Sequence, residues 1–201
     1  QIASTDILVH SAHATTYEAV AAKYELTPVA DNATLVAEAD LVFLAVKPYI
    51  VPQVLAETAE AFKKHQPLMV SVAAGLSLTK LADQVGSQTL PILRIMPNVN
   101  VANQAGITAV VGNEQVSAER LETVKTVLAQ LGGVVEISEK DFTTFSALAG
   151  SSPAFVYLFI DAMARAGVKH GLTKAVATKI AAQAVMGSAQ NVLKSDDSPW
   201  D

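Results

Sequence analysis

Cysteine is absent from the 201 residues, which excludes disulfides, thiol nucleophiles and thiolate metal sites. Basic excess is missing as well. Fourteen Lys and Arg face nineteen Asp and Glu, for a net charge of −5. The lysines are scattered, so no basic stripe suits a nucleic acid. No uninterrupted apolar run reaches the ~18 residues that span a bilayer, and the opening residues carry no signal-peptide pattern. The expectation is a soluble, cytoplasmic protein with neither nucleic acid nor membrane as partner. The Gly-x-Gly-x-x-Gly signature of dinucleotide-binding turns occurs nowhere. No nucleophile–base constellation and no metal-ligand spacing is visible either. Hydride transfer needs neither, because the cofactor supplies the chemistry.

What is present is hydrophobic material, 51% of the chain, enough for one large domain or two small ones. The organising stretch is Asp-Leu-Val-Phe-Leu-Ala-Val-Lys-Pro at residues 40–48. Six apolar residues in succession, 41–46, are the pattern of a strand buried on both faces of a parallel sheet. Pro48 cannot donate to a ladder and closes the strand. Ligands of open α/β sheets bind beyond the carboxyl ends of the strands, so Ala45, Val46 and Lys47 lie at the rim of any site. A plain core strand ending in a surface lysine fits the same residues.

Strands are expected at residues 6–9, 68–72, 91–96, 106–111 and 134–137, with a short extended piece at 26–30. Helices are expected near 17–24, after Asp31-Asn32, from Pro48 to about 64, after Ser77, and over 117–131. Thr15 or Thr16 is expected to cap the first of these. Alternation over the first 138 residues predicts βαβ units and a mostly parallel sheet. Beyond Ser138 only helical patterns remain. Residues 153–165 and 173–194 make helices too apolar to stand alone in water, and Gly187 and Ser188 would let a partner helix approach closely. The fold class is therefore α/β: a Rossmann-type sheet domain over 1–138, then an all-α domain over 139–201.

Few residues suggest chemistry. A dinucleotide-binding sheet that takes NAD carries an acidic residue after its second strand. Here the polar turn is His10-Ser11-Ala12-His13, a hydroxyl and imidazoles without a carboxylate. That composition suits a 2′-phosphate and hence NADPH, although such residues are also ordinary turn formers. Gly150-Ser151-Ser152-Pro153 has the form of a helix start, whose free N–H groups could hold an anion. Arg94 sits in an apolar strand and is either a structural partner of some acid or ligand-facing. His65 and His170 stand alone on polar stretches and take no role.

The collected segments resemble pyrroline-5-carboxylate reductase, an enzyme family of proline synthesis. The resemblance rests on residues 40–48, Val-Ser-Val-Ala-Ala-Gly (70–75), Arg-Ile-Met-Pro-Asn (94–98), Ser-Ala-Leu-Ala-Gly-Ser-Ser-Pro-Ala-Phe (146–155) and Ala-Gly-Val-Lys-His-Gly-Leu (166–172). It implies a Rossmann domain and a helical domain that interlocks with its mate in a homodimer; many members build dimers into a decamer. It implies NADPH, with NADH also accepted, reducing the cyclic imine (S)-1-pyrroline-5-carboxylate to L-proline. Ser11 falls where the family meets the 2′-phosphate region, and Asn32 where it meets the adenosine ribose. Ala45, Val46 and Lys47 match the rim at the ribose and pyrophosphate, Ala74 a residue beside the nicotinamide. Asp196 aligns with an acidic position that reaches the ring nitrogen of the substrate.

By the same resemblance, a first strand and glycine-rich turn would precede Gln1, and a Ser-Pro-Gly-Gly-Thr-Thr substrate loop would follow Asp201. The 201 residues are thus expected to be the middle of a protein and inactive by themselves. Two rivals share parts of this pattern. A β-hydroxyacid dehydrogenase would need a catalytic lysine, for which Lys169 and Lys174 are the nearby candidates. A non-catalytic nucleotide-binding or dimerisation module would need no catalytic group.

Overall fold

The structure is a computed structural model that describes residues 2–195. It divides into two compact units, Gln1–Phe145 and Ser146–Asp201. In the first, β1 (Leu8–Val9), α1 (Ala14–Tyr24), β2 (Thr27–Pro28) and α2 (Asn32–Glu38) lead to β3 (Leu41–Leu44) and α3 (Val51–His65). There follow β4 (Leu68–Ser71), α4 (Leu78–Val85), β5 (Ile92–Pro97), β6 (Gly106–Gly112), α5 (Ala118–Leu128), β7 (Gly132–Glu136) and α6 (Phe142–Phe145). Strands β1 and β2 form a parallel pair. The other five line up as β3-β4-β5-β6-β7, parallel throughout except for antiparallel β5–β6.

Local chemistry explains where the helices begin. Asp31 accepts from the Thr34 N–H at 2.7 Å, Ser77 from Lys80 at 3.2 Å, and Ser117 from Arg120 at 3.3 Å. Each satisfies a donor that the helix itself leaves open. The expected threonine cap of α1 is not found. That helix starts earlier, with His13 as an extended N-cap that makes no side-chain cap bond, so Thr15 and Thr16 already lie inside the first turn. The first strand is shortened in turn, because Ser4–Asp6 coil into a 3₁₀ turn.

Two cores flank the five-stranded sheet. Val36 of α2, Val51, Leu55 and Phe62 of α3, and Leu81 and Val85 of α4 pack on Val42, Leu44, Met69 and Ile92. Val124 and Leu128 of α5 pack on the opposite face, against Leu68, Val70, Leu93, Ile95 and Val110. Strand β4 is covered on both faces. Residues 41–46 are not, contrary to expectation. Their strand ends at Leu44, Phe43 is 44% exposed, and Ala45 is exposed too. Successive side chains of a strand point to opposite faces, and the core under α5 reaches β3 only at Leu41, leaving Phe43 uncovered. The fully enclosed strand is thus the next one along.

The antiparallel step is secured by Asn113, which accepts from the Ile92 N–H at 3.1 Å and donates to the Leu90 carbonyl at 2.8 Å. Gly132 opens β7 at φ +133°, and a Cβ there would lie 2.1 Å from the Gly106 carbonyl oxygen. Only glycine lets the two strands meet at that point.

The second unit starts with a π-helical turn, Ser146–Ser151, and continues as α7 (Ser152–Lys169) and α8 (Lys174–Lys194). The helices form a hairpin whose contact is built from small residues. Ala164, Ala177 and Ala181 are buried, and a Cβ on Gly167 would stand 3.1 Å from the Ala177 Cβ. The close approach within the chain is therefore at Gly167, while the space beside Gly187 is open. Thr173 caps α8, accepting from Val176 at 3.4 Å. Outward, Leu148, Phe155, Leu158 and Phe159 are all more than half exposed, as are Ile180 and Leu193.

The helical stretch Glu139–Lys169 is, by length and composition, long and apolar enough to cross a membrane, even though charged residues interrupt its apolar run. Helices whose apolar face packs on protein meet the same criterion. Asp161 on α7 takes a hydrogen bond from Arg165 Nε at 2.6 Å and another from Lys174 Nζ.

Candidate functional site

The turn 10–13 and the start of α2 lie together, beyond the carboxyl ends of the paired strands β1 and β2. The register Val9↔Pro28 sets His10 beside Val29, and the His10 ring nitrogen Nδ1 donates to the Val29 carbonyl at 2.9 Å. A carbonyl can only accept, so that nitrogen carries the proton. The imidazole also leans on Tyr17, with ring centroids 4.9 Å apart. Ser11 follows on the exposed side of the turn, and Asn32, half-buried, opens α2. Asp31 is the carboxylate of this corner, and it is committed: its bond from the Thr34 N–H is the main reason its carboxyl is held below the ordinary range. His13 is exposed at the foot of α1.

A second set lies beyond the carboxyl ends of β3 and β4. Leu44 is paired with Ser71, and the Val72 N–H donates to the Leu44 carbonyl at 3.3 Å, so the turns after the two strands are neighbours. Ala45 and Lys47 are exposed and Val46 half-buried. Across from them Ala74 and Gly75 are both exposed. Gly75 has φ +77° and nothing within 4 Å of where a Cβ would be. The sequence reading brought out Ala74 but missed Gly75, whose signal was a glycine between a strand and a serine cap.

This second turn is clamped at both ends. Near β4, the fully buried Ser71 hydroxyl accepts from the Ala73 N–H at 3.3 Å. At the far end, Glu139 Oε1 accepts from the Leu78 N–H at 2.8 Å and from Arg94 Nη1 at 3.0 Å. The guanidinium of Arg94, whose side chain is 10% exposed, also lies 4.5 Å over the Phe142 ring. Arg94 is therefore structural rather than ligand-facing. An arginine in an apolar strand announced that some acid must meet it, but nothing in the sequence selected Glu139 among nineteen.

The helix start expected at residues 150–153, on which an anion could have been held, is not formed. Ser151 is already helical and makes no cap bond, and the Ser152 hydroxyl donates back to the Leu148 carbonyl. Proline brings no N–H and its ring crowds the preceding turn, which here widens into a π-helical stretch instead of starting a helix. Lys174 is engaged by Asp161. Lys169 lies in the last turn of α7, and His65 and His170 are exposed at helix ends. Asp196 lies outside the described residues. Among the described residues no group of three or more His, Asp or Glu could hold a metal ion.

Two family models match the chain. One, for NADP oxidoreductases that are coenzyme F420-dependent, covers residues 2–75; the other, for pyrroline-5-carboxylate reductase dimerisation, covers residues 139–201. The pyrroline-5-carboxylate reductase of a Synechocystis species is 33% identical over 98% of this chain and 72% of its own length. The chain belongs to the pyrroline-5-carboxylate reductase family.

Solved members of the family agree in fold. The enzyme of Streptococcus pyogenes superimposes with a TM-score of 0.85 at 41% identity, covering 96% of this chain and 73% of its own. That of Plasmodium falciparum, a structure with NADP bound, gives 0.79 at 30% identity, covering 96% and 69%. The chain spans about two thirds of the curated reductases it matches, 66%, 72% and 63% for three of them. The two model matches fall on part of the alternating βα stretch and on the helical stretch, while the compact units divide after Phe145 rather than after Ser138.

Proposed function

We propose that the whole protein reduces (S)-1-pyrroline-5-carboxylate to L-proline, taking hydride from NADPH in preference to NADH. The observation that carries this is the pairing, within one chain, of an NADP oxidoreductase match at residues 2–75 and a reductase dimerisation match at 139–201. The local geometry fits the larger cofactor. The turn after β1 holds a hydroxyl and imidazoles, and the neighbouring carboxylate of Asp31 is taken up by its own helix. The turn at residues 10–13 itself sets no carboxylate against a 2′-phosphate.

In this reading Ser11 and Asn32 hold the adenosine end, and Ala45, Val46 and Lys47 follow the ribose and pyrophosphate. Ala74 and the open Gly75 leave room for the nicotinamide half. NADPH, when bound, supplies the hydride. The chain supplies alignment, which is worth up to roughly 7–11 kcal/mol when donor and acceptor are held in a reactive pose. Asp196 is assigned to the ring nitrogen, whose protonation makes the imine carbon the better acceptor.

The apolar outer faces of α7 and α8 are assigned to a second copy of the chain rather than to lipid. The charged cluster of Asp161, Arg165 and Lys174 would be costly in a bilayer, which supports a dimer in the cytoplasm. Dimers closing into a decamer complete the proposal. The test of activity is NADPH oxidation by the whole protein with pyrroline-5-carboxylate, and identification of the product. Proline formed in step with NADPH consumed supports it; no turnover overturns it.

A further inference from the structure

The turn between β4 and α4 presents two small exposed residues, Ala74 and Gly75, yet its flanks are fixed with unusual care. Ser71 ties the near side, Leu76 is buried in the core, and Ser77 caps α4. The last tie comes from far along the chain. The Leu78 N–H, one of the donors a helix start leaves open, is taken by Glu139, sixty-one residues away, over 2.8 Å. Glu139 is itself fixed by Arg94 at 3.0 Å, and Arg94 by the ring of Phe142. Arg94 is paired with Ser71 in the sheet, so the two anchors of the turn are joined through β5. Glu139 is also the first residue matched by the dimerisation model.

We propose that Glu139 is a positioning residue for the nicotinamide end of the site: through the Leu78 N–H it fixes the Ala74–Gly75 turn, and with it the pose in which hydride is delivered. The inference rests on the reductase reading above. Glu139 touches neither cofactor nor substrate in this account. It acts by removing freedom from a turn that has no side-chain packing of its own. A simple truncation, Glu139→Ala, would leave the buried Arg94 unpaired and confuse stability with function. The informative variant replaces the pair together, as Arg94→Met with Glu139→Met. Apolar replacement of a buried ion pair is often neutral for stability, but here the Leu78 N–H loses its anchor.

The experiment compares the whole parent protein, this double variant and Glu139→Gln, which keeps an oxygen acceptor. Hydrogen exchange at residues 75–78 should quicken about tenfold in the double variant, since the opened turn no longer needs to break that bond. The KM for NADPH should rise about tenfold while that for pyrroline-5-carboxylate stays within about twofold, and the isotope effect with deuterated NADPH should increase, as misalignment slows the hydride step. Glu139→Gln should restore the KM to within about threefold of the parent, because its side-chain oxygen still accepts from the N–H. Unchanged exchange, or faster exchange with unchanged KM and isotope effect, would overturn the inference. An inactive parent would overturn the reductase reading instead, and the exchange measurement would still decide whether Glu139 holds the turn.

Discussion

Phe155 gives the sharpest test of the helical unit. It stands on α7 with 68% of its surface exposed, beside Leu158 at 69% and Phe159 at 58%. Complete burial of such a side chain contributes about 1.5–3 kcal/mol, so what Phe155 still exposes is worth roughly 1–2 kcal/mol at an interface. A twofold dimer uses the same patch on both protomers, so Phe155→Ala would remove roughly 2–4 kcal/mol from association. That converts to a dimer dissociation constant about 30- to 1,000-fold weaker. The fold of the single chain should barely notice, because Phe155 is not part of the α7–α8 contact, which runs through Ala164, Gly167, Ala177 and Ala181. Sedimentation equilibrium over a range of concentrations measures the association, and helical circular dichroism checks the fold. A dissociation constant within about twofold of the parent would refute the assignment of this face to a second copy.

Cofactor choice and pH each give one more outcome. Ser11→Asp places a carboxylate on the turn after β1; at a contact of ~4 Å from a phosphate the repulsion is about 1 kcal/mol in water and ~4 at a protein surface, so NADPH binding should fall at least about fivefold while NADH changes little. Titration of both cofactors reads this, and an unaltered ratio removes Ser11 from the site. The Asp161 carboxyl is held below its ordinary 3.8 chiefly by the Lys174 ammonium and then by the Arg165 guanidinium. A depressed folded pKa stabilises above the unfolded value and is lost as pH falls through the folded one. Asp161→Asn should therefore melt below the parent at neutral pH, and the two should converge once the pH drops below 3.8 towards the folded value; a gap that persists in acid would refute the pairing.

Most of the architecture was legible because it follows from local patterns. The caps Asp31 and Ser77 sit where short polar side chains precede apolar periodicity, and both make their bonds, as does Ser117, which was expected inside its helix rather than as its cap. The burial of β3 was not legible. An apolar run reports that a strand tolerates burial, not that a helix reaches it, and α5 stops short of Phe43. The start of α7 failed for a related reason. Serine followed by proline reads as a cap, but the same proline is compatible with a helix that has already begun, provided the preceding turn widens.

The site divides along the same line. The rim after β3 was legible because the carboxyl end of a strand can be located from its apolar run, and Ala45 and Lys47 are exposed there, whereas Ala74 came from the resemblance alone. What fixes those rims was not, because it depends on residues far apart in the chain. The Ala74–Gly75 turn is anchored from Glu139, and the corner at Ser11 is tied by His10 to Val29, nineteen residues on. A turn of alanine and glycine contributes almost nothing by its own side chains. Its precision must come from the groups that take up its flanking N–H donors, and those are specified by the fold rather than by the neighbouring sequence. A small-residue turn at a strand end is therefore recognisable from a motif, whereas the residues that fix such a turn are found only once distant acids and arginines are seen to meet.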